Sequence, residues 1–143
     1  MRALRYIRHL LVKSATWLNA FRYRLLGVKI GKGSYISIHA HIDVRRGRVI
    51  LGDYVEIASG SYVLSHTGYQ PEQAEEATVL EDNVKVFVNA VILPGIKVGK
   101  NSIVGAGAVV MKDVPPDVMV LGNPARVIKH LADVTRGPDS PAA

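Results

Sequence analysis

The chain has no cysteine, which removes disulfide staples, thiolate zinc sites and a cysteine nucleophile together. Stability then has to come from packing, and a reducing compartment fits. Aromatic residues make up only 6% of the chain against a hydrophobic share of 48%, so Val, Ile, Leu and Ala carry the apolar content. No run reaches the roughly 18 apolar residues that a membrane-spanning helix needs, and none is expected. Acid is scarce in one place: residues 1–48 hold eleven Lys/Arg and the single acid Asp43, a balance of +10. Residues 49–143 hold seven Lys/Arg against eleven Asp/Glu, a balance of −4, so the net charge of +6 belongs to the first third. At 143 residues the length suits one compact domain, since domains commonly run about 100–150 residues.

Within the basic segment, Leu4, Ile7, Leu11, Leu18, Phe21 and Leu25 recur at three- and four-residue steps, with Ser14 in the missing slot. This spacing predicts an amphipathic helix over residues 1–27, stopped at Gly27. Arg2, Arg5, Arg8, Lys13, Arg22 and Arg24 lie mostly off the stripe, and Tyr6, Trp17 and Tyr23 suit a polar–apolar boundary. Three roles stay open for the stripe: lying on an anionic membrane surface, covering the open end of the following domain, or packing on a neighbouring subunit. Lys13 interrupts the apolar run after Leu10-Leu11-Val12, and no convincing small-residue cleavage site follows, so the segment is expected to be retained. Basic charge without a binding motif gives no reason to expect nucleic acid as a partner.

From Ile30 onward the chain repeats every six residues. Twelve hexapeptides open with Ile30, Ile36, Ile42, Leu51, Ile57, Val63, Leu80, Val86, Ile92, Val98, Val104 and Val110. Their fifth places are small or aliphatic (Ser34, Ala40, Val55, Ser61, Thr67, Val84, Ala90, Ile96, Ser102, Ala108 and Val114), with Arg46 the exception. Neither a helix nor an alternating strand has a period of six. A prism does: two inward positions in six let one short strand form each face, three hexapeptides close a circuit, and stacked circuits bury the openers in columns. Four circuits are expected, over 30–47, 51–68, 80–97 and 98–115, with the largest break at 69–79.

This pattern resembles the hexapeptide-repeat acetyltransferases over roughly residues 27–131, and within them the bacterial sugar and polysaccharide O-acetyltransferases. The resemblance implies an all-β fold, a left-handed parallel β-helix of about four coils. An N-terminal helix (1–27) would precede the repeat domain (28–131), with residues 132–143 as a C-terminal tail and a short helix after Lys129 finishing near Val134. A histidine at the rim of an extruded loop is placed as a general base should be, and His66 stands just before the break, in Leu64-Ser65-His66-Thr67-Gly68-Tyr69. In the family this position holds the base that takes the acceptor's hydroxyl proton as the oxygen attacks the acetyl-CoA thioester. His39 and His41 fall at other places in their circuit and are expected to be turn or surface residues, although His39 can reach a neighbour's site in a trimer. No two histidines have the H-x-x-x-x-H spacing of the related γ-class carbonic anhydrases, so no metal is expected.

The block from Ile92 to Lys129, including Val104-Gly105-Ala106-Gly107 and Gly122-Asn123-Pro124-Ala125-Arg126, is similar to the end of the sugar O-acetyltransferases. There the acetyl-CoA arm lies between two subunits. The similarity implies backbone contacts at Val88 and Ala106, close approach at Gly105, and phosphate contacts from Lys112, Arg126 and Lys129. Where relatives usually read W-I-G, this chain has Lys85-Val86-Phe87, a ring where glycine would clear the thioester arm. The expected protein is thus a homotrimeric, acetyl-CoA-dependent O-acetyltransferase of a saccharide acceptor, free or lipid-linked, working in the cytoplasm or at the inner face of its membrane. The alternative is a non-catalytic scaffold presenting its basic helices to a membrane or partner.

Overall fold

The computed structural model describes residues 16–45, 48–66 and 76–131. A helix, α1, covers 16–25. Strands follow in circuits of three: β1 (Lys29–Ile30), β2 (Tyr35–Ile36) and β3 (His41–Ile42); β4 (Val49–Leu51), β5 (Glu56–Ile57) and β6 (Tyr62–Val63); β7 (Thr78–Leu80), β8 (Lys85–Val86) and β9 (Val91–Ile92); β10 (Lys97–Val98), β11 (Ile103–Val104) and β12 (Val109–Val110). Each face of the prism takes every third strand in parallel register: β1-β4-β7-β10, β2-β5-β8-β11 and β3-β6-β9-β12. β13 (Val118–Leu121) extends the second face, and β14 (Arg126–His130) closes it antiparallel.

The six-residue period is the reason these very short strands hold. Ile36, Ile57, Val63, Leu80, Ile92, Val98 and Val104 lose all solvent contact, as do the fifth-place residues Val55, Ser61, Val84, Ala90, Ser102 and Ala108. Burial of each Val or Ile side chain is worth about 1.5–3 kcal/mol, and the columns supply it repeatedly. The interior hydroxyls are satisfied, with Ser61 donating to Phe87 O at 2.8 Å and Ser102 to Pro115 O at 2.7 Å. At the first corner, between the first and second faces, the fourth place of each hexapeptide has positive φ. Gly33 costs nothing there, and Asn83 and Asn101 tolerate it while bonding to one another along the axis.

Helix α1 covers the open end of the prism with the face that lies off the apolar stripe, so of the three roles left open the stripe does not take that of covering the domain end. Thr16, Asn19, Ala20 and Tyr23 are buried, whereas Leu18 (63% exposed), Leu25 (73%), Trp17, Phe21 and Leu26 face outward. Tyr23, assigned from sequence to a boundary, is a core residue. The reason is hydrogen bonding. The first circuit has no neighbour beneath it, so its backbone groups need partners that aliphatic side chains lack. Asn19 donates to Ser37 O (2.8 Å), the Tyr23 hydroxyl donates to Ala40 O (3.1 Å) and accepts from Ile42 N (3.2 Å), and Arg24 donates to Ile30 O and Gly31 O (3.1 Å each). The other end is closed by the β13–β14 hairpin, whose loop takes up β12 through Val109 N to Gly122 O and Ala125 N to Val109 O, both 2.9 Å. The chain stays extended through His130; the remainder of the expected short C-terminal helix, and the tail, fall on 132–143, outside the described residues.

Candidate active site

The third corner of the prism, between the third and first faces, is where the chain leaves the repeat. Strands β3 and β6 pair with Ile42 opposite Val63. Asp43, one residue past its opener, and His66, three past the next one, therefore meet at the same corner one circuit apart. Asp43 N donates to Val63 O at 2.9 Å, and Thr78 Oγ1 pins the exit strand through Leu64 O at 2.7 Å. The result is a side-chain pair: His66 Nδ1 bonds directly to Asp43 Oδ2. The Asp43 side chain is 8% exposed and the His66 side chain 15%.

Asp43 is held as a carboxylate. Burial pushes its pKa up, but hydrogen bonds from the Arg45 side chain and backbone, from His66 and from Ser65 outweigh it and bring the value from 3.8 down to about 2. Arg45 Nε donates to Oδ1 at 3.0 Å and Arg45 N at 3.2 Å. An ionised carboxylate can only accept, so neutral His66 must carry its proton on Nδ1, which leaves Nε2 with a free lone pair. This is the protonation pattern of an oriented base. The sequence pattern pointed to His66 but left its partner unnamed; the signal for Asp43 was present, since it is the sole acid among the first 48 residues.

The other expected site residues divide between two corners. Val88 and Ala106 lie one circuit apart on the second corner, between the second and third faces, and both are exposed. At the first corner, acidic side chains cap the turn N–H groups: Asp53 takes Lys32 N (2.9 Å), Asp82 takes Asp53 N (2.7 Å) and Glu81 takes Lys100 N (2.9 Å). Among the described residues nothing accepts the N–H of Val88 or Ala106. Space is tight at Gly105, where a Cβ would come within 2.5 Å of Cδ1 of the exposed Leu121 and 3.1 Å of Val120 O. Its own N–H bonds to Val120 O at 2.8 Å. Phe87, the residue before Val88, is exposed and stands outside the prism.

Lys112 and Arg126, distant in sequence, line one cavity of about 600 Å³ between the last circuit and the β13–β14 hairpin. Lys129 sits opposite Met119 on exposed β14 and does not line that cavity. Lys112 occupies the same corner as His66, two circuits further along, or about 10 Å at the usual strand spacing. His39 lies in a second-corner turn, away from His66, and His41 stacks on Tyr62 of the third face with ring centroids 4.7 Å apart.

Comparison with known proteins agrees with this architecture. Residues 77–112 match the family model described as bacterial transferase hexapeptide (six repeats). A hexapeptide-repeat-containing acetyltransferase of Vibrio cholerae O1 biovar eltor, solved complexed with acetyl coenzyme A, is 27% identical with a TM-score of 0.54, covering 79% of this chain and 78% of that one. A maltose O-acetyltransferase of Clostridium difficile 630 is 26% identical with a TM-score of 0.56, covering 72% of this chain and 69% of that one. The resemblance to hexapeptide-repeat acetyltransferases is thus met by both the repeat and the fold. In sequence, a 2,3,4,5-tetrahydropyridine-2,6-dicarboxylate N-acetyltransferase of Brevibacillus brevis is 46% identical over 80 residues, or 56% of this chain. The match spans only 33% of that relative's length.

The lowered Asp43 pKa has a consequence for stability. The folded value, about 2, lies below the ordinary 3.8, so the unfolded chain binds the proton more readily. The contribution is complete above about pH 4 and is lost as pH falls through about 2. Urea unfolding should therefore show wild type losing about 2 kcal/mol more than Asp43→Asn over that window. Parallel pH profiles for the two proteins would contradict the assignment.

Proposed function

We propose that the protein is an acetyl-CoA-dependent acetyltransferase in which His66, oriented by Asp43, is the general base toward an acceptor hydroxyl. The observation that carries this reading is the Asp43–His66 pair at the corner where the repeat is broken. The co-substrate would supply an activated acetyl thioester. The residues present fit it: Lys112 and Arg126 share a cavity that suits phosphates, and Val88 and Ala106 offer uncommitted N–H groups with Gly105 packing beneath them. Lys129 would add a further cation at the cavity's outer side.

His66 Nε2 takes the hydroxyl proton as the acceptor oxygen forms its bond to the acetyl carbon. The resulting imidazolium is balanced by Asp43 and returns the proton to the departing sulfur as the C–S bond breaks. No covalent acyl-enzyme is needed. His66 and the Val88–Ala106 pair occupy different corners of one prism, so a site that uses both is completed by a neighbouring subunit. This supports an assembly whose sites lie between subunits, which we take to be a homotrimer of left-handed, four-coil prisms.

A saccharide hydroxyl is the acceptor we favour. The match to the maltose O-acetyltransferase extends over most of that chain, whereas the more identical N-acetyltransferase is matched over a third of its length. The outward stripe of Trp17, Leu18, Phe21 and Leu25, with Arg22 and Arg24 beside it, supports peripheral binding to an anionic membrane and hence a lipid-linked acceptor at its cytoplasmic face.

Two measurements test the proposal. His66→Ala should lower acetyl transfer to sugar hydroxyls by about 10²–10⁴-fold while leaving acetyl-CoA binding intact. Transfer near the wild-type rate would sink the catalytic role and favour a scaffold, and transfer confined to amine acceptors would overturn the hydroxyl assignment. Flotation with phosphatidylglycerol-containing liposomes should be lost in a Leu18→Glu/Leu25→Glu variant; unchanged flotation would rule out membrane contact through α1.

A further inference from the structure

The arginines around the Asp43–His66 pair are more numerous than that pair requires. Arg45 spends its Nε on Asp43 Oδ1, yet its side chain remains 76% exposed. Arg48, three residues on, is exposed and lines a small cavity of about 40 Å³ with Asp43, Val44 and the end of the helix segment at Leu26, Gly27 and Val28. Among the described residues Arg48 forms no ion pair. Arg45 commits its Nε to Asp43, and Arg48 pairs with no acid among the described residues, so each keeps N–H donors that a further oxyanion can take.

We propose that Arg45 and Arg48 form an oxyanion-binding subsite beside His66, and that the acceptor carries a phosphate or carboxylate close to the hydroxyl that is acetylated. A guanidinium that keeps an outward N–H pair presents the planar fork that matches either group. The subsite is separate from the cavity of Lys112 and Arg126, which lies three circuits from Arg45 along the same corner. It rests on the reading of His66 as the base at the acceptor's end of the site. Base and cations come from one corner, so an anion held by the arginines places a neighbouring hydroxyl toward the imidazole.

The subsite is tested in the full chain with inorganic diphosphate as the probe, titrated by calorimetry. Titrations are made in a Lys112→Gln/Arg126→Gln background, so that the other cationic cavity does not contribute. Binding there should persist, should weaken about tenfold or more on adding Arg48→Gln or Arg45→Gln, and should survive His66→Ala. Binding that is absent in that background, or unchanged by both arginine substitutions, overturns the subsite. In transfer assays a hexose phosphate or a hexuronate should be acetylated at least tenfold faster than the matched neutral methyl hexoside, with the advantage lost in Arg48→Gln. The faster of the two charged sugars identifies the anion. Equal rates for neutral and charged sugars overturn the inference while leaving O-acetylation standing. A fully active His66→Ala would instead remove the catalytic reading beneath it.

Discussion

Two inward positions in every six residues set the width of this prism, and the rest of the molecule depends on that constraint. A strand of two residues has too few hydrogen bonds to persist alone. Here each strand is one rung of a parallel ladder whose side chains form continuous aliphatic columns, so backbone pairing and burial are satisfied by the same register. The narrow interior accounts for the composition: valine, isoleucine, alanine and serine fit, and aromatic rings are left for the outside, as at Phe87 and Tyr62.

The same register builds the site. Because circuits stack with openers aligned, residues far apart in sequence arrive at one corner, and small offsets from the opener decide what meets what. Asp43 and His66 are 23 residues apart and share a hydrogen bond because Ile42 lies opposite Val63. Lys112 joins that corner for the same reason, and the hairpin returns Arg126 to it. The corners differ in how their turn amides are used. Carboxylates cap the first, while at the second the N–H groups of Val88 and Ala106 have no acceptor among the described residues.

Much of the fold was legible in the sequence because a strict period leaves little freedom. The openers from Ile36 to Val110 are the buried residues, and His66 stands out by adjoining the break. Asp43 was not legible as a partner, since recognising it takes the pairing register and not the repeat alone; its isolation among eleven cations is the one local sign of it. The docked face of the helix was hidden for a different physical reason. Amphipathic spacing identifies an apolar stripe but not which face docks, and at the open end of a prism exposed carbonyls and amides select Asn19, Tyr23 and Arg24 over Leu18 and Leu25. The approach of Leu121 to Gly105 is likewise a contact that local sequence does not reveal.

The stacking register brings Asp43 to His66 and fixes the tautomer of its ring. Proton and nitrogen NMR of the His66 ring in the full chain tests this most directly. At neutral pH the ring should carry its proton on Nδ1, strongly shifted downfield, and Asp43→Asn should abolish that shift without altering the spectrum of the coil. A wild-type imidazole protonated on Nε2, or one unchanged by Asp43→Asn, would contradict the account.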